Sequence, residues 1–256
     1  MSAVPEILNY GSADALAIHV ADRLLARLGT IQAEGRIPCI VLAGGSIAVA
    51  IHREVARAHG GLRPSPTPPV DWSRVDFWFG DERFVPSDDP ERNAGQAAEA
   101  MLDHLPVDPA RVHAMPPSDG EYGDDVDTAA AAYAEELRKA AGPGDVATPT
   151  FDILMLGIGP DGHCASLFPG HPALYDDRPV VAVRNSPKPP PTRITLTMGT
   201  LRRARELWWV AAGNDKAQAV RDALSGADPA RVPAAGPHGI TRTLWMLDEA
   251  AANLTG

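Results

Sequence analysis

The chain has 256 residues, 45% of them hydrophobic, and carries 23 Lys plus Arg against 33 Asp plus Glu, a formal net charge of −10. That length and apolar content suit one α/β domain over residues 1–256 with a sizeable core, and the acidic balance excludes an extended nucleic-acid surface, which needs a basic face. No apolar run reaches the ~18 residues that cross a bilayer, no basic residue precedes an apolar stretch in residues 1–21, and two cysteines (Cys39 and Cys164) make no disulfide framework, so a cytoplasmic protein is expected.

In chain order, the first element is a helix over residues 13–28, where Leu16, Val20, Leu24 and Leu28 form a stripe and Gly29 ends it. A buried strand over 37–42 and a helix over 47–58 follow. The run 64–69, with four prolines, is a loop, and 75–79 is a second strand. Helices are expected over 91–105 and 125–141, the latter stopped by Gly142-Pro143. The strongest strand signal is 151–156, with Ile153, Leu154, Met155 and Leu156 in sequence. Further strands are predicted over 180–183, 193–196 and 206–212, with a proline-rich loop at 187–191 between the first two. A helix over 215–224 and a strand over 244–247 complete the series. Unbroken apolar strands alternating with helices specify a single doubly wound, mostly parallel sheet flanked by helices. Ligands of such sheets bind at the C-terminal strand ends, so the loops there are where chemistry is sought.

Three of these loops carry suitable groups. Ala43-Gly44-Gly45-Ser46 joins a strand to a helix; it reads equally as an anion cradle and as an ordinary tight turn with a Ser N-cap. Gly80-Asp81-Glu82-Arg83 places two carboxylates, suited to sugar hydroxyls, beside an arginine suited to phosphate. Gly157-Ile158-Gly159-Pro160-Asp161-Gly162-His163 matches the spacing of the dinucleotide fingerprint. That motif needs a full helix behind its third glycine, and Phe168-Pro169-Gly170 interrupts the chain within two turns. A glycine-lined pocket presenting Asp161 and His163 is the better reading, with His163 as a candidate base. Arg193 and Lys216 open elements near the same end and are candidate anion ligands. The chain has no G-x-S-x-G elbow, no metal-ligand spacing and no Walker A motif, so no serine acyl-enzyme, metal or nucleotide cofactor is expected.

Taken together, Leu42-Ala43-Gly44-Gly45-Ser46, Asp81-Glu82-Arg83-Phe84-Val85-Pro86 with Asn93, and Asp161-Gly162-His163-Cys164-Ala165-Ser166-Leu167-Phe168-Pro169-Gly170 resemble the 6-phosphogluconolactonase family. Pro191-Thr192-Arg193-Ile194-Thr195, the Gly213 to Lys216 turn and Trp245-Met246-Leu247-Asp248 follow in the family's order. Ile47-Ala48 stands where the family usually has Thr-Pro, which removes one hydroxyl but keeps the backbone amides. The related glucosamine-6-phosphate deaminases share the fold and an Asp-Gly-His element, but have a Glu where this chain has Phe168, a side chain that transfers no proton.

The resemblance implies a Rossmann-like fold of the sugar-phosphate isomerase type and hydrolysis of 6-phosphogluconolactone. His163 would act as general base and Asp161 would orient it. Gly44, Gly45, Ser46, Arg83, Arg193 and Lys216 would hold phosphate. Asp81, Glu82 and Asn93 would contact the sugar, and the Gly159 or Gly162 amide would meet the oxyanion. The implied partner is a small sugar-phosphate lactone, with no cofactor, metal, nucleic acid or membrane, and the protein is expected to be a monomer or weak homo-oligomer. The alternatives are a deaminase-like aldose–ketose isomerase, a non-catalytic sugar-phosphate sensor and, on the Gly157 to Gly162 spacing alone, a nicotinamide dehydrogenase.

Overall fold

Residues 4–65, 68–142, 144–145 and 147–253 are described by the computed structural model; Pro66 and Thr67 of the first proline-rich loop and Pro143 of the expected helix stop lie outside the described residues. Ten strands are formed among them: β1 Glu6–Tyr10, β2 Cys39–Leu42, β3 Asp76–Phe79, β4 Asp81–Arg83, β5 Val112–His113, β6 Phe151–Leu156, β7 Val180–Val183, β8 Arg193–Leu196, β9 Ala204–Ala211 and β10 Arg242–Asp248. The helices are α1 Ala13–Ala33, α2 Ser46–His59, α3 Asn93–Ala100, α4 Val126–Ala140, α5 Met198–Leu201, α6 Ala217–Leu224 and α7 Glu249–Ala252.

Seven strands form one wholly parallel sheet in the order β1-β10-β9-β6-β2-β3-β5. Side chains alternate along each strand, so the sheet feeds two cores. Ile40, Leu42, Phe77, Phe79, Ile153, Met155, Trp208 and Met246 join α1, α2 and α3 on one face. Val41, Trp78, Leu154, Leu156, Leu207, Trp209, Trp245 and Leu247 join α4, α6 and strands β7 and β8 on the other. All six residues of β6, the central strand, are buried, as its apolar sequence requires. Its lone carboxylate, Asp152, accepts from Arg36 Nη1 at 2.6 Å and from the Cys39 amide at 3.1 Å.

The sequence reading puts β7 and β8 in the main sheet, but they leave it. With β4 they form a separate three-stranded antiparallel sheet, in the order β4-β8-β7. Antiparallel pairing lets β8 receive both neighbours over one short stretch, and Leu196 then anchors the small sheet through its amide to the Gly80 carbonyl at 2.9 Å.

Strands β1, β4 and β5 are not foreseen from sequence. The first is a half-exposed edge strand, the second is wholly charged, and the third has two residues. The helix expected over 91–105 begins instead at Asn93 and breaks at Met101, where φ is −146°, before a 3₁₀ turn at Leu102–His104. The segment opening at Asp215 begins likewise with a 3₁₀ turn, Asn214–Lys216, ahead of α6.

Candidate active site

The loops after β2, β3, β6 and β9 converge at the C-terminal end of the sheet around a cleft of about 310 Å³. It opens between β2 and β6, where successive crossovers leave in opposite directions along the sheet, the usual ligand position in this architecture. Gly44, Gly45, Ser46, Asp81, Arg83, Asn93, Gly159, His163, Arg193 and Lys216 all line it. Of the other expected site residues, Asp161 is paired with His163, while Glu82 and Gly162 do not line the cleft.

One wall is the start of α2. Its N-cap is Gly45, at φ +95°, and no side chain caps the first turn, so the amide dipoles of that turn are presented to the cleft. Ser46 is therefore the first residue of the helix and not its cap. Gly44 is required for close packing, because a Cβ there would overlap the Asn93 side-chain amide. The Asn93 Nδ2 group donates to the Asp81 carbonyl at 2.9 Å and to its carboxylate at 3.3 Å. Asn93 Oδ1 is buried without a partner among the described residues, as is Arg83 Nε. The wall of one cleft thus holds a buried acceptor and a buried donor that no described residue satisfies.

The charged segment Asp81-Glu82-Arg83 is a strand, and its period of two separates the three side chains. Asp81 and Arg83 face the cleft. Glu82 points the opposite way and is fully buried. Its carboxylate accepts from the amides of Arg83 at 2.8 Å, Asn93 at 2.7 Å and Ala94 at 2.9 Å, with Arg92 Nη2 at 3.6 Å. Burial raises its pKa, opposed by Arg92 and the three amides. The expected sugar contact by Glu82 is thus corrected: this carboxylate caps α3 and holds Asn93 in place. Ser166 Oγ donates to Asp81 Oδ2 at 2.6 Å, and the Ser166 amide donates to Thr195 Oγ1 at 3.2 Å, which ties the loop after β6 to the small sheet.

The second wall is cationic. Arg83 and Arg193 are directly opposed across β4 and β8. Opposed like charges destabilise a sheet unless an anion lies between them. Arg193 is buried, and its guanidinium donates to the carbonyls of Lys188, Pro189 and Pro190 at 3.0–3.2 Å, holding the proline-rich loop over the cleft. Burial lowers the Arg193 pKa from its ordinary value, with Asp81 opposing. That loop brings Lys188 into the cleft, a residue the sequence reading passed over as part of a loop; a single cation inside a run of prolines was the available signal. Lys216, at the end of the 3₁₀ turn before α6, reaches the cleft from the other side and contacts Asp215 Oδ2 at 2.7 Å.

On the third wall, His163 Nδ1 and Asp161 Oδ1 are 2.5 Å apart, which turns Nε2 toward the cleft. Burial alone would raise the Asp161 pKa; the hydrogen bond and charge of His163, with Lys188 Nζ at 3.7 Å, outweigh it and hold the carboxyl well below the usual range. The imidazole packs on Phe168, with ring centroids 4.6 Å apart, and the Arg193 guanidinium lies over the same ring at 5.7 Å. Gly159 has no room for a side chain, since a Cβ would overlap the His163 ring.

The glycine amides expected to meet an oxyanion are already engaged. The Gly159 amide donates to the His163 carbonyl and the Gly162 amide to the Gly159 carbonyl, both at 2.9 Å. Gly162 sits at φ +81° and shapes the turn. Ala165, also lining the cleft, holds φ +47° in the tight turn closed by Cys164 and Leu167, a strained setting for a residue with a Cβ. Cys164 is fully buried, and burial pushes its thiol pKa far above the ordinary value, so it is not poised as a nucleophile.

Comparison with known proteins agrees with this geometry. The family model described as glucosamine-6-phosphate isomerases/6-phosphogluconolactonase matches residues 11–245. A 6-phosphogluconolactonase of Streptomyces coelicolor is 50% identical over 256 residues, covering 99% of this chain and 95% of that protein. One from Mycobacterium leprae is 45% identical over 253 residues, covering 98% of each. The structure of the Trypanosoma brucei 6-phosphogluconolactonase superposes with a TM-score of 0.79 at 27% identity, over 98% of this chain and 99% of that one. A match that runs nearly end to end, on a sheet whose loops converge as described, places this chain in the glucosamine-6-phosphate isomerase/6-phosphogluconolactonase family.

Proposed function

We propose that this chain hydrolyses 6-phosphogluconolactone to 6-phosphogluconate, with His163 as the general base. The observation that carries the reading is the His163–Asp161 pair at 2.5 Å, facing a cleft whose other walls are an uncapped helix start and the opposed Arg83–Arg193 pair. A base at one side and an anion cradle at the other fit a small substrate with a reactive carbonyl and a phosphate. The relatives bearing the 6-phosphogluconolactonase name support the choice of substrate.

In this mechanism the phosphate sits between the first turn of α2 and the Arg83, Arg193 and Lys216 cations. Asp81 and the unmet Asn93 Oδ1 accept sugar hydroxyls. Asp161 accepts a hydrogen bond from Nδ1–H, leaving the lone pair of Nε2 to take a proton from water as the water oxygen bonds to the lactone carbonyl carbon. The imidazolium then gives that proton to the ring oxygen as the carbon–oxygen bond breaks. The ring is opened, and the new carboxylic acid ionises in solvent. With the Gly159 and Gly162 amides engaged elsewhere, Lys188 is the cation beside the reacting pair and supports the negative charge that develops.

The test is release of acid from freshly generated 6-phosphogluconolactone, followed by coupling to 6-phosphogluconate dehydrogenase, with glucosamine 6-phosphate as a parallel substrate. Acceleration of lactone opening well above the spontaneous rate, with no ammonia from glucosamine 6-phosphate, is expected. Ammonia release without lactone acceleration would transfer the site to deaminase chemistry.

A further inference from the structure

A second concavity, of about 500 Å³, lies away from the cleft, between α1 and the β1 edge of the main sheet. Its helical wall is a single stripe of α1: His19, Arg23, Ala26, Arg27 and Thr30 recur at the spacing of one helix face over about 16 Å. Its sheet wall runs from Tyr10, at the end of β1, to Glu206 and Arg242, near the starts of β9 and β10. Tyr10 and His19 close one end as a stacked pair, 5.0 Å between centroids.

Three guanidiniums meet two carboxylates in this lining, and both carboxylates are committed. Asp22 is held by Arg63 at 2.5 Å. Glu206, nearly buried, accepts from Arg27 Nε at 2.7 Å and from Trp208 Nε1 at 3.1 Å. Arg27 is thereby fixed by its Nε alone, and its two terminal nitrogens have no partner among the described residues. Arg242 is oriented in the same manner, with Nε and Nη2 on Glu6 at 2.7 Å and Nη1 left over. Arg23, half-buried one turn before Arg27, has no hydrogen bond or ion pair among the described residues. Arg23 is met only through space by the Glu6 carboxylate that Arg242 holds, and it stands beside two other guanidiniums whose free N–H groups are pre-oriented.

We propose that this groove is a second anion site, which takes a small molecule carrying adjacent phosphoryl groups and bridges Arg23 and Arg27. It is separate from the cleft: none of its lining residues is shared with it. Two guanidiniums one helical turn apart can each take one phosphoryl group, so a diphosphate is favoured over a single phosphate.

Amide-resolved NMR of the intact chain, titrated with inorganic pyrophosphate and separately with orthophosphate, tests this. Amides of residues 19–30 are expected to shift in a saturable titration of their own, distinct from any shift at residues 44–48. Arg23→Gln should weaken pyrophosphate binding at α1 at least tenfold while leaving the response of residues 44–48 unchanged, which also reports that the variant is folded. Orthophosphate should bind at α1 at least tenfold more weakly than pyrophosphate. Absence of α1 shifts at millimolar pyrophosphate, or equal affinities for wild type and Arg23→Gln, would overturn the site. Equal affinities for the two probes would overturn the bridging.

Discussion

At the scale of single residues, the arrangement depends on one glycine that makes room for the reacting groups. Gly159 lies so close to His163 and Asp161 that a methyl group there would displace both. Gly159→Ala is therefore expected to lower kcat at least tenfold, which raises the barrier by about 1.4 kcal/mol or more, while the melting temperature moves little. A normal kcat in that variant would show that the His163–Asp161 geometry is not needed. Glu82 makes the opposite case. Glu82 is a buried charge that caps three amides, and its replacement by Ala leaves those amides unmet and the buried Arg92 charge uncompensated, which is expected to cost about 3–5 kcal/mol of folding stability. Urea unfolding measures this. Unchanged stability with a raised KM would instead return Glu82 to the substrate.

At the scale of elements, the parallel strands β2, β3, β6, β9 and β10 were legible because a strand covered on both faces must be apolar throughout, and such runs are conspicuous. The glycine-rich loops after β2 and β6 were legible for a related reason: the chain uses glycine where backbone approaches a ligand or a side chain closely. Strand β4 was not legible, since nothing in Asp81-Glu82-Arg83 by itself signals a strand; only pairing with β8 makes it one. The error on Glu82 follows directly. A charged loop can turn all three side chains to a ligand, whereas a strand sends the middle one the other way. Lys188 was hidden for a similar reason, because its place over the cleft depends on Arg193 gripping the carbonyls of the proline-rich loop from 3–5 residues away.

At the scale of the whole molecule, two histidines that do not line the cleft set limits of pH on stability. Burial works against a charge on His113, but Glu136 at 2.6 Å and Asp76 at 3.9 Å outweigh it and raise its pKa from 6.5 to about 9. Its contribution is fully present below pH 6.5 and is lost as pH rises through about 9. His52 is the reverse. It is fully buried with neither ring nitrogen partnered among the described residues, and burial lowers its pKa to about 4. The unfolded chain then binds a proton more readily, so stability falls as pH drops from 6.5 toward 4. Urea midpoints against pH should peak near neutrality. His113→Gln should flatten the alkaline limb. His52→Leu should flatten the acid limb and, by removing unmet polar atoms, raise stability at neutral pH by about 1–3 kcal/mol. A loss of stability in His52→Leu would mean that the imidazole has a partner. The account as a whole rests on His163, and the most direct measurement is turnover of freshly generated 6-phosphogluconolactone by the wild type and by His163→Ala, with 6-phosphogluconate affinity measured alongside. Removal of a general base is expected to lower kcat by about a hundredfold to ten-thousandfold and to leave product affinity nearly intact. A variant that turns over at close to the wild-type rate would contradict the assignment.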